Sequence, residues 1–523
     1  MKRFSIIASI LLAAATFSAG AQGVEDALRY SQQFYVGSAR TMGMGNAFTA
    51  LGGDLGAIAI NPASSALYNC CEFSLTAGLS WDSNKTQFLT TEDTYNNSVG
   101  RTRFTVPNIS ATFSIPTGRE TGLVSYSFGF GYNKINNFNS RVSFSGLDDR
   151  TSMLGGIAAG LEGVDNSYLQ DKDAYEIGYC TPQEIMAWDA FLIAPYIDED
   201  GNSYYDSYTG ATENYFNDGG LGVNNAMRKG YDRTTGGGMY DMSFNFGLNF
   251  SDKLYLGANL NINTVSYEED LWYTEEATKD NYFQSGFQYM DYHYWQRTSG
   301  VGVNLQLGAI FVPVNFLRLG VSYTTPTSYD LTDSWREYMT SDFDGSHPDY
   351  RSVSSEAPYR EYDYQLRAPQ RFSLGAAFVF GNVGLLSADF ERVDYAKMRM
   401  SDPRHYDTFT DVNQDIRDYC LKCNIFRLGG EINVLNDMAL RAGYNCYVYD
   451  KPGYQYLSFG IGKRISENSS IDLALRTRLD DHYQMKPYDD YAFDVNDIAQ
   501  CIAPVADIHN KAYDLMFTYR VKF

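Results

Sequence analysis

Five histidines, one Cys-x-x-Cys pair and a few carboxylate clusters are the residues of this 523-residue chain whose types could hold a metal, hold a haem or move a proton. An imidazole reading would use His293, His347, His405, His482 and His509 as ligands. No two of them stand at helical i, i+4 spacing. Cys420-Leu-Lys-Cys423 has redox or zinc spacing, but no second pair and no βαβ pattern accompany it. The seven cysteines (70, 71, 180, 420, 423, 446 and 501) are an odd number, so an exported chain keeps at least one unpaired or shared between chains. IDEDGNSYYD (197–206) and DVNQD (411–415) alternate oxygen ligands as calcium loops do. Gly201 stands at the wrong offset, however, and Ile416 occupies the place of the loop glycine. Asp480-Asp481-His482 offers acid–base groups without a nucleophile motif beside it. No phosphate loop or dinucleotide fingerprint is present. The reading is therefore polar loop residues: no enzyme, no cofactor and no metal.

The elements that would position such residues are strands. The last eleven residues, YDLMFTYRVKF, put Tyr513, Leu515, Phe517, Tyr519, Val521 and Phe523 on one face, and Asp514, Met516, Thr518, Arg520 and Lys522 on the other. The same alternation sets Phe244 and Phe246 against Ser243 and Asn245, and Val301, Val303 and Leu305 against Gly302 and Asn304. The runs are about 9–11 residues, the length of a tilted membrane strand, whereas soluble strands have a mode of about 5–6. Fourteen such runs are expected, over 72–81, 103–115, 121–134, 240–250, 254–266, 299–312, 316–324, 371–381, 384–397, 424–434, 438–448, 454–464, 470–479 and 512–523. Their connections alternate between short turns (PTGRE, SDK, LND) and long loops, the largest being 135–239, with one exception, the tight YDKPG at 449–453. Even strand number, short turns on one side and long loops on the other describe an all-β, transmembrane, antiparallel barrel of the outer membrane. In this topology Cys446 lies near Cys420 and Cys423, because the strands they bound are adjacent, so one pairing of Cys446 with either of them is an expectation.

Export agrees. Lys2 and Arg3, an apolar run from Ile6 to Phe17 and Ala19-Gly20-Ala21 read as a cleaved secretory leader over residues 1–21. The chain carries a formal charge of −22, which excludes a nucleic-acid partner.

A fourteen-stranded wall encloses a lumen too wide for its own side chains to fill. Residues 22–71 precede the first strand and contain ARTMGMGNAFTALGGDLGAIAINPAS (39–64), small residues that pack tightly, stopped by Asn61-Pro62. We expect them to form a plug, with the barrel occupying 72–523.

The Gly43-Met-Gly45-Asn46-Ala-Phe48 run, the Ala50-Leu-Gly52-Gly53-Asp54 run and Asn61-Pro62-Ala63 resemble the N-terminal hatch of the outer-membrane long-chain fatty acid and aromatic hydrocarbon transporter family. The resemblance implies a fourteen-stranded barrel with an N-terminal hatch. It also implies passive uptake of hydrophobic small molecules through an apolar lumen pocket, with sideways exit beside a kinked third strand. Gly129 and Gly131 are the candidates for that kink. Tyr519 and the terminal Phe523 are the expected signal to the barrel assembly machinery. Both termini are expected on the periplasmic side. The expected partners are a hydrophobic small molecule and outer-membrane lipid. The aromatic stretch YFQSGFQYMDYHYW (282–295) is a candidate external capture surface. The resemblance also extends to barrels that serve type IX secretion as structural or shuttle proteins, with a secreted or surface protein as partner, and to haemin receptors.

Overall fold

The computed structural model describes residues 22–90, 93–197, 203–215, 221–223, 225–278, 283–346, 350–405, 408–435, 437–449, 452–479, 481–491 and 501–523. The expected leader (1–21), the centre of the first candidate calcium loop (198–202), His347 and Asp480 lie outside them.

Fourteen strands close into one antiparallel ring. They are β1 (Glu72–Leu89), β2 (Thr94–Pro116), β3 (Leu123–Asn137), β4 (Met227–Phe250), β5 (Leu254–Ala277), β6 (Phe287–Val314), β7 (Leu317–Thr324, continued by Thr327–Phe343), β8 (Arg360–Ala368, continued by Arg371–Val379), β9 (Gly384–Asp394), β10 (Lys422–Leu435), β11 (Met438–Val448), β12 (Pro452–Arg464), β13 (Ser469–Leu479, continued by Asp481–Met485) and β14 (Val505–Lys522). The ring shuts where β1 pairs β14, from Glu72↔Lys522 to Leu89↔Val505.

The burial pattern decides between barrel and sandwich. Phe244 is 50% exposed and Leu305 54%, while Ser243, Asn245, Asn304 and Gln306 are buried. Apolar side chains point outward and polar ones inward, which is stable only with lipid outside.

The strands run well past the expected 9–11 residues; β6 spans 28. Residues expected as loops, 267–298 and 325–370, are largely strand. The reason is a phase reversal along each long strand. In β5, Leu254, Leu256 and Leu260 face out while Asn259, Asn261 and Asn263 are buried; higher up, Val265, Tyr267, Leu271 and Tyr273 are buried while Ser266 and Glu268 face out. Above the lipid the outside is water, so the polar face turns outward and the apolar face turns in. A search for greasy outer faces stops where the lipid stops.

A folded cap closes the long-loop end. Helices Met153–Gly160 and Pro182–Asp189 and hairpin Ile193–Ile197/Ser203–Gly210 share a core with the upper ends of β4, β5 and β6. Met290 and Tyr292, from the stretch expected to form an external capture surface, point inward into that core.

Candidate functional site

The N-terminal segment lies against the inner wall. Helix α1 (Val24–Ser31) is followed by α2 (Ala39–Gly43) and by two short 3₁₀ turns, Leu55–Ala59 and Pro62–Leu67. Gly45 (φ +61°), Asn46 (φ +58°), Gly52 (φ +59°) and Gly53 (φ +70°) turn the chain through the left-handed region. Asp54 caps the first 3₁₀ turn by accepting from Gly56 N (2.9 Å), accepts the Ser38 hydroxyl (2.6 Å), and faces Arg520 at 3.5 Å. Asn61 caps the second by accepting from Ala63 N (3.0 Å), with Pro62 in the first turn. Its Nδ2 donates to Thr49 O (2.6 Å) and to two wall carbonyls, Ala309 and Val321. Asn46 Nδ2 donates to Tyr35 O (2.8 Å). Phe48 is fully buried with Met44, Leu51 and Ala377.

The wall residues that receive this segment escaped the sequence reading. Gly257 in β5, Gly308 in β6, Gly320 in β7, Gly429 in β10 and Gly443 in β11 face inward, and a Cβ at any of them would collide with Pro62, Asn61, Thr49, Met44 or Gly45. The signal was available: glycines recurring at lumen-facing positions of otherwise regular strands. Around these bare tracks stand charged clamps. Arg40 donates to both Glu431 oxygens (2.9 and 3.0 Å) and to Gly53 O (2.9 Å), and Arg441 bridges Glu431 to Asp472. Thr49 N donates to Asp389 (2.8 Å).

The first and last described residues sit at different heights in the barrel. Phe523 N donates to Cys71 O (3.0 Å) at the short-turn rim, where Tyr519 and Phe523 face outward. Gln22 lies up in the lumen, its Nε2 donating to Asp333 in the upper half of β7 (3.0 Å). The segment climbs from Cys71 into the barrel, so Gln22, its first described residue, stands well above the short-turn rim that holds Phe523.

The third strand is irregular, at a different place from the glycines. Gly129 and Gly131 sit in unbroken register between β2 and β4. The β2–β3 ladder stops at Asn108↔Asn133, and the register against β4 shifts between Lys134 and Asn136. Above that point β2 keeps its partner in β1 alone. The free edge of β3 turns inward and pairs with the N-terminal segment: Phe34 N donates to Ile135 O (2.6 Å) and Val36 N to Lys134 O (3.2 Å). Asn136 Nδ2 donates to Gln32 O (3.1 Å). Beyond Asn137, strand Ser140–Asp148 resumes pairing with the top of β4. The wall therefore has a seam between upper β2 and β3. Side chains reach across it: Arg101 of β2 donates to Thr235 O of β4, and Asn97 of β2 donates to Ser143 O of the resumed strand (3.1 Å).

A cavity of about 400 Å³ lies at this seam. Leu28, Phe34 and Val36 form its inner side, Asn136 to Ser140 its seam side, and the stacked, outward-facing pair Trp81 and Tyr513 (ring centroids 5.1 Å) its lipid side. It is not purely apolar, as expected, but amphipathic. Five arginines (29, 101, 233, 476 and 478) and four carboxylates (25, 82, 481 and 514) line it with Tyr454, Tyr456 and Met485.

The other candidates separate. DVNQD forms the start of helix Thr410–Tyr419, where Asn413 Nδ2 donates to Met400 O (2.8 Å), so it is no cation loop. Cys423 faces the lumen and Cys446 the outside, because one wall's period of two puts them on opposite faces; Cys420, Cys423 and Cys446 are all free thiols, so no pairing forms among them. Asp481 turns in to Arg478 (3.1 Å) while His482 is exposed on the outer face, so they share no acid–base site. His293 stacks on Trp272 with centroids 4.0 Å apart. His482 and His509 stand directly opposite each other on β13 and β14.

No family model and no curated relative matches this sequence. Solved structures do. A Pseudomonas aeruginosa FadL homologue matches with TM-score 0.50 at 10% identity, covering 94% of this chain and 100% of its own. A mutant of the TodX monoaromatic hydrocarbon channel matches with TM-score 0.50 at 12% identity, covering 93% of this chain and 98% of its own. The chain shares their fold. The Pseudomonas putida toluene transporter TodX also aligns, at TM-score 0.48 and 13% identity, over 94% of this chain and all of its own. The fold in common is a membrane-spanning fourteen-stranded barrel.

Proposed function

We propose that this chain is an outer-membrane channel for passive inward diffusion of small hydrophobic or amphipathic molecules, long-chain fatty acids among them, with the N-terminal segment acting as a hatch. The observation that carries this reading is the position of the cavity, which touches the N-terminal segment, the seam and the outward-facing Trp81–Tyr513 pair at once. An apolar molecule in such a space has a sideways route to lipid that avoids water. The arginines suit an anionic head, and Phe34, Val36 and Tyr456 an apolar body. Hatch and exit share hydrogen bonds at Ile135 and Lys134, so a ligand that displaces Phe34 also releases the edge of β3. The structures sharing the fold include a monoaromatic hydrocarbon channel and a FadL homologue, which supports the same class of substrate. Export by a cleaved leader, recognition of Tyr519 and Phe523 by the assembly machinery, and a surrounding of outer-membrane lipid belong to this reading.

The test is to purify the barrel in detergent and identify by mass spectrometry what accompanies it. Near-stoichiometric fatty acids or other apolar molecules, lost when Phe34 is replaced by Asp, are expected. An empty lumen with a firmly held protein partner would replace this reading with that of a structural or shuttle barrel for protein secretion.

A further inference from the structure

The structure assigns a divalent transition-metal site to His482, His509 and Asp507, on the outer face of the barrel just above the lipid band. His482 and His509 are directly paired across the β13–β14 ladder, and Asp507 lies two residues from His509 on the same face. Residues so paired hold their Cβ atoms about 5 Å apart without any loop to order. The two imidazole rings stand 4.5 Å apart, and His482 Nε2 is 2.9 Å from Asp507 Oδ1. One ligand atom from each of the three lies within 4.8 Å of the others. A tetrahedral ion with bonds of about 2.0–2.1 Å needs its ligand atoms roughly 3.3 Å apart, so small side-chain rotations complete the set. Two imidazoles and a carboxylate select Zn²⁺, Cu²⁺ or Ni²⁺ over the oxygen-seeking Ca²⁺ and Mg²⁺. Three protein ligands leave a fourth position open to water or an external donor. Lys85 of β1 lies opposite His509 on the other flank of β14 and sets the positive limit of the site.

The place gives the ion a mechanical role. The continuation of β13 holds β14 by only five residue pairs, Asp481 to Met485, before the chain enters the cap at Tyr488. An ion bound to both strands clamps that narrow ladder.

The test uses tag-free, detergent-purified protein titrated with Zn²⁺ by calorimetry, and with Cu²⁺ by electron paramagnetic resonance. One ion per chain is expected, with two nitrogen ligands in the Cu²⁺ spectrum. His482→Ala and His509→Ala each weaken binding by at least about tenfold, while His405→Ala leaves it unchanged. In the unaltered protein, Zn²⁺ shields His482 and His509, but not His405, from diethylpyrocarbonate, read by peptide mass spectrometry; this result does not depend on a variant folding. Absence of saturable binding, binding that survives loss of both histidines, or a ferric-haem absorption shift without Zn²⁺ binding would each overturn the assignment.

Discussion

Asn61 carries more of the N-terminal segment than any other side chain described above. It caps one turn and donates to three carbonyls, two of them in the wall. Asn61→Ala removes the cap and leaves the buried Thr49 carbonyl without this donor, at a cost of about 2 kcal/mol. Amide exchange at Ala63 to Ser65 is then expected to accelerate by roughly thirtyfold if it proceeds by local opening. Asn61→Asp keeps the cap and loses the donations, so intermediate exchange is expected; equal protection in all three proteins would refute this account of Asn61. The sequence marked Asn61-Pro62 as a stop, because Pro fixes its own φ and restricts the residue before it; in the structure Asn61 is the cap that starts the second 3₁₀ turn. The sequence did not mark Gly443 or Gly308, since a glycine in a strand reads as a weakness until the chain packed against it is known.

Among the elements, β3 and the cap were the least legible. Gly129 and Gly131 drew attention because glycine is the familiar cause of a bend, yet they sit in continuous register. The break at Lys134 comes from a competing partner, the Phe34–Val36 backbone, and no local sequence feature announces a partner a hundred residues away. The cap was hidden for a related reason: its core is assembled from helix, hairpin and strand ends far apart in the chain. That core contains a buried acid with a testable signature. Glu213 is 4% exposed and accepts from Gly210 N (2.8 Å). Burial pushes its carboxyl up to about 8; the Gly210 N–H opposes the rise and the Glu275 carboxylate adds to it. The folded cap thus keeps a proton that an opened cap has lost, so its stability is fully present below the ordinary glutamate range and is lost as pH rises through about 8. Proteolytic nicking around Met153–Gly160 is expected to be slower at pH 5 than at pH 8.5. Glu213→Gln should flatten that dependence; an unchanged pH profile in the variant would assign it to another group.

At the scale of the whole molecule, ring size and the inward-polar, outward-apolar wall followed from alternation alone, because lipid enforces a strict period of two. What alternation could not show is how wall, N-terminal segment and seam act together. Arg101 of upper β2 reaches past the seam to the Thr235 carbonyl of β4. Arg101→Ala is expected to raise uptake of a hydrophobic fluorescent probe into proteoliposomes several-fold while ionic conductance in planar bilayers stays low, because the lumen remains filled. Removing residues 22–71 is expected to do the opposite, opening a steady ion-conducting pore. If Arg101→Ala also opened an aqueous pore, the seam would lead into water and not into lipid.

The phase reversal along the long strands also works as a ruler. In β5 the outward apolar stretch runs from Leu254 to the reversal beside Thr264, eleven residues. At about 3.3 Å per residue and a tilt near 40°, that is roughly 28 Å of hydrocarbon. The figure matches an ordinary bilayer core of about 30 Å. Each ångström by which a host bilayer departs from it costs a fraction of a kcal/mol, in thinned lipid or in strands forced to change tilt. Bilayer thickness therefore bears directly on the tilt of β2 and β3, and through them on the width of the gap between them.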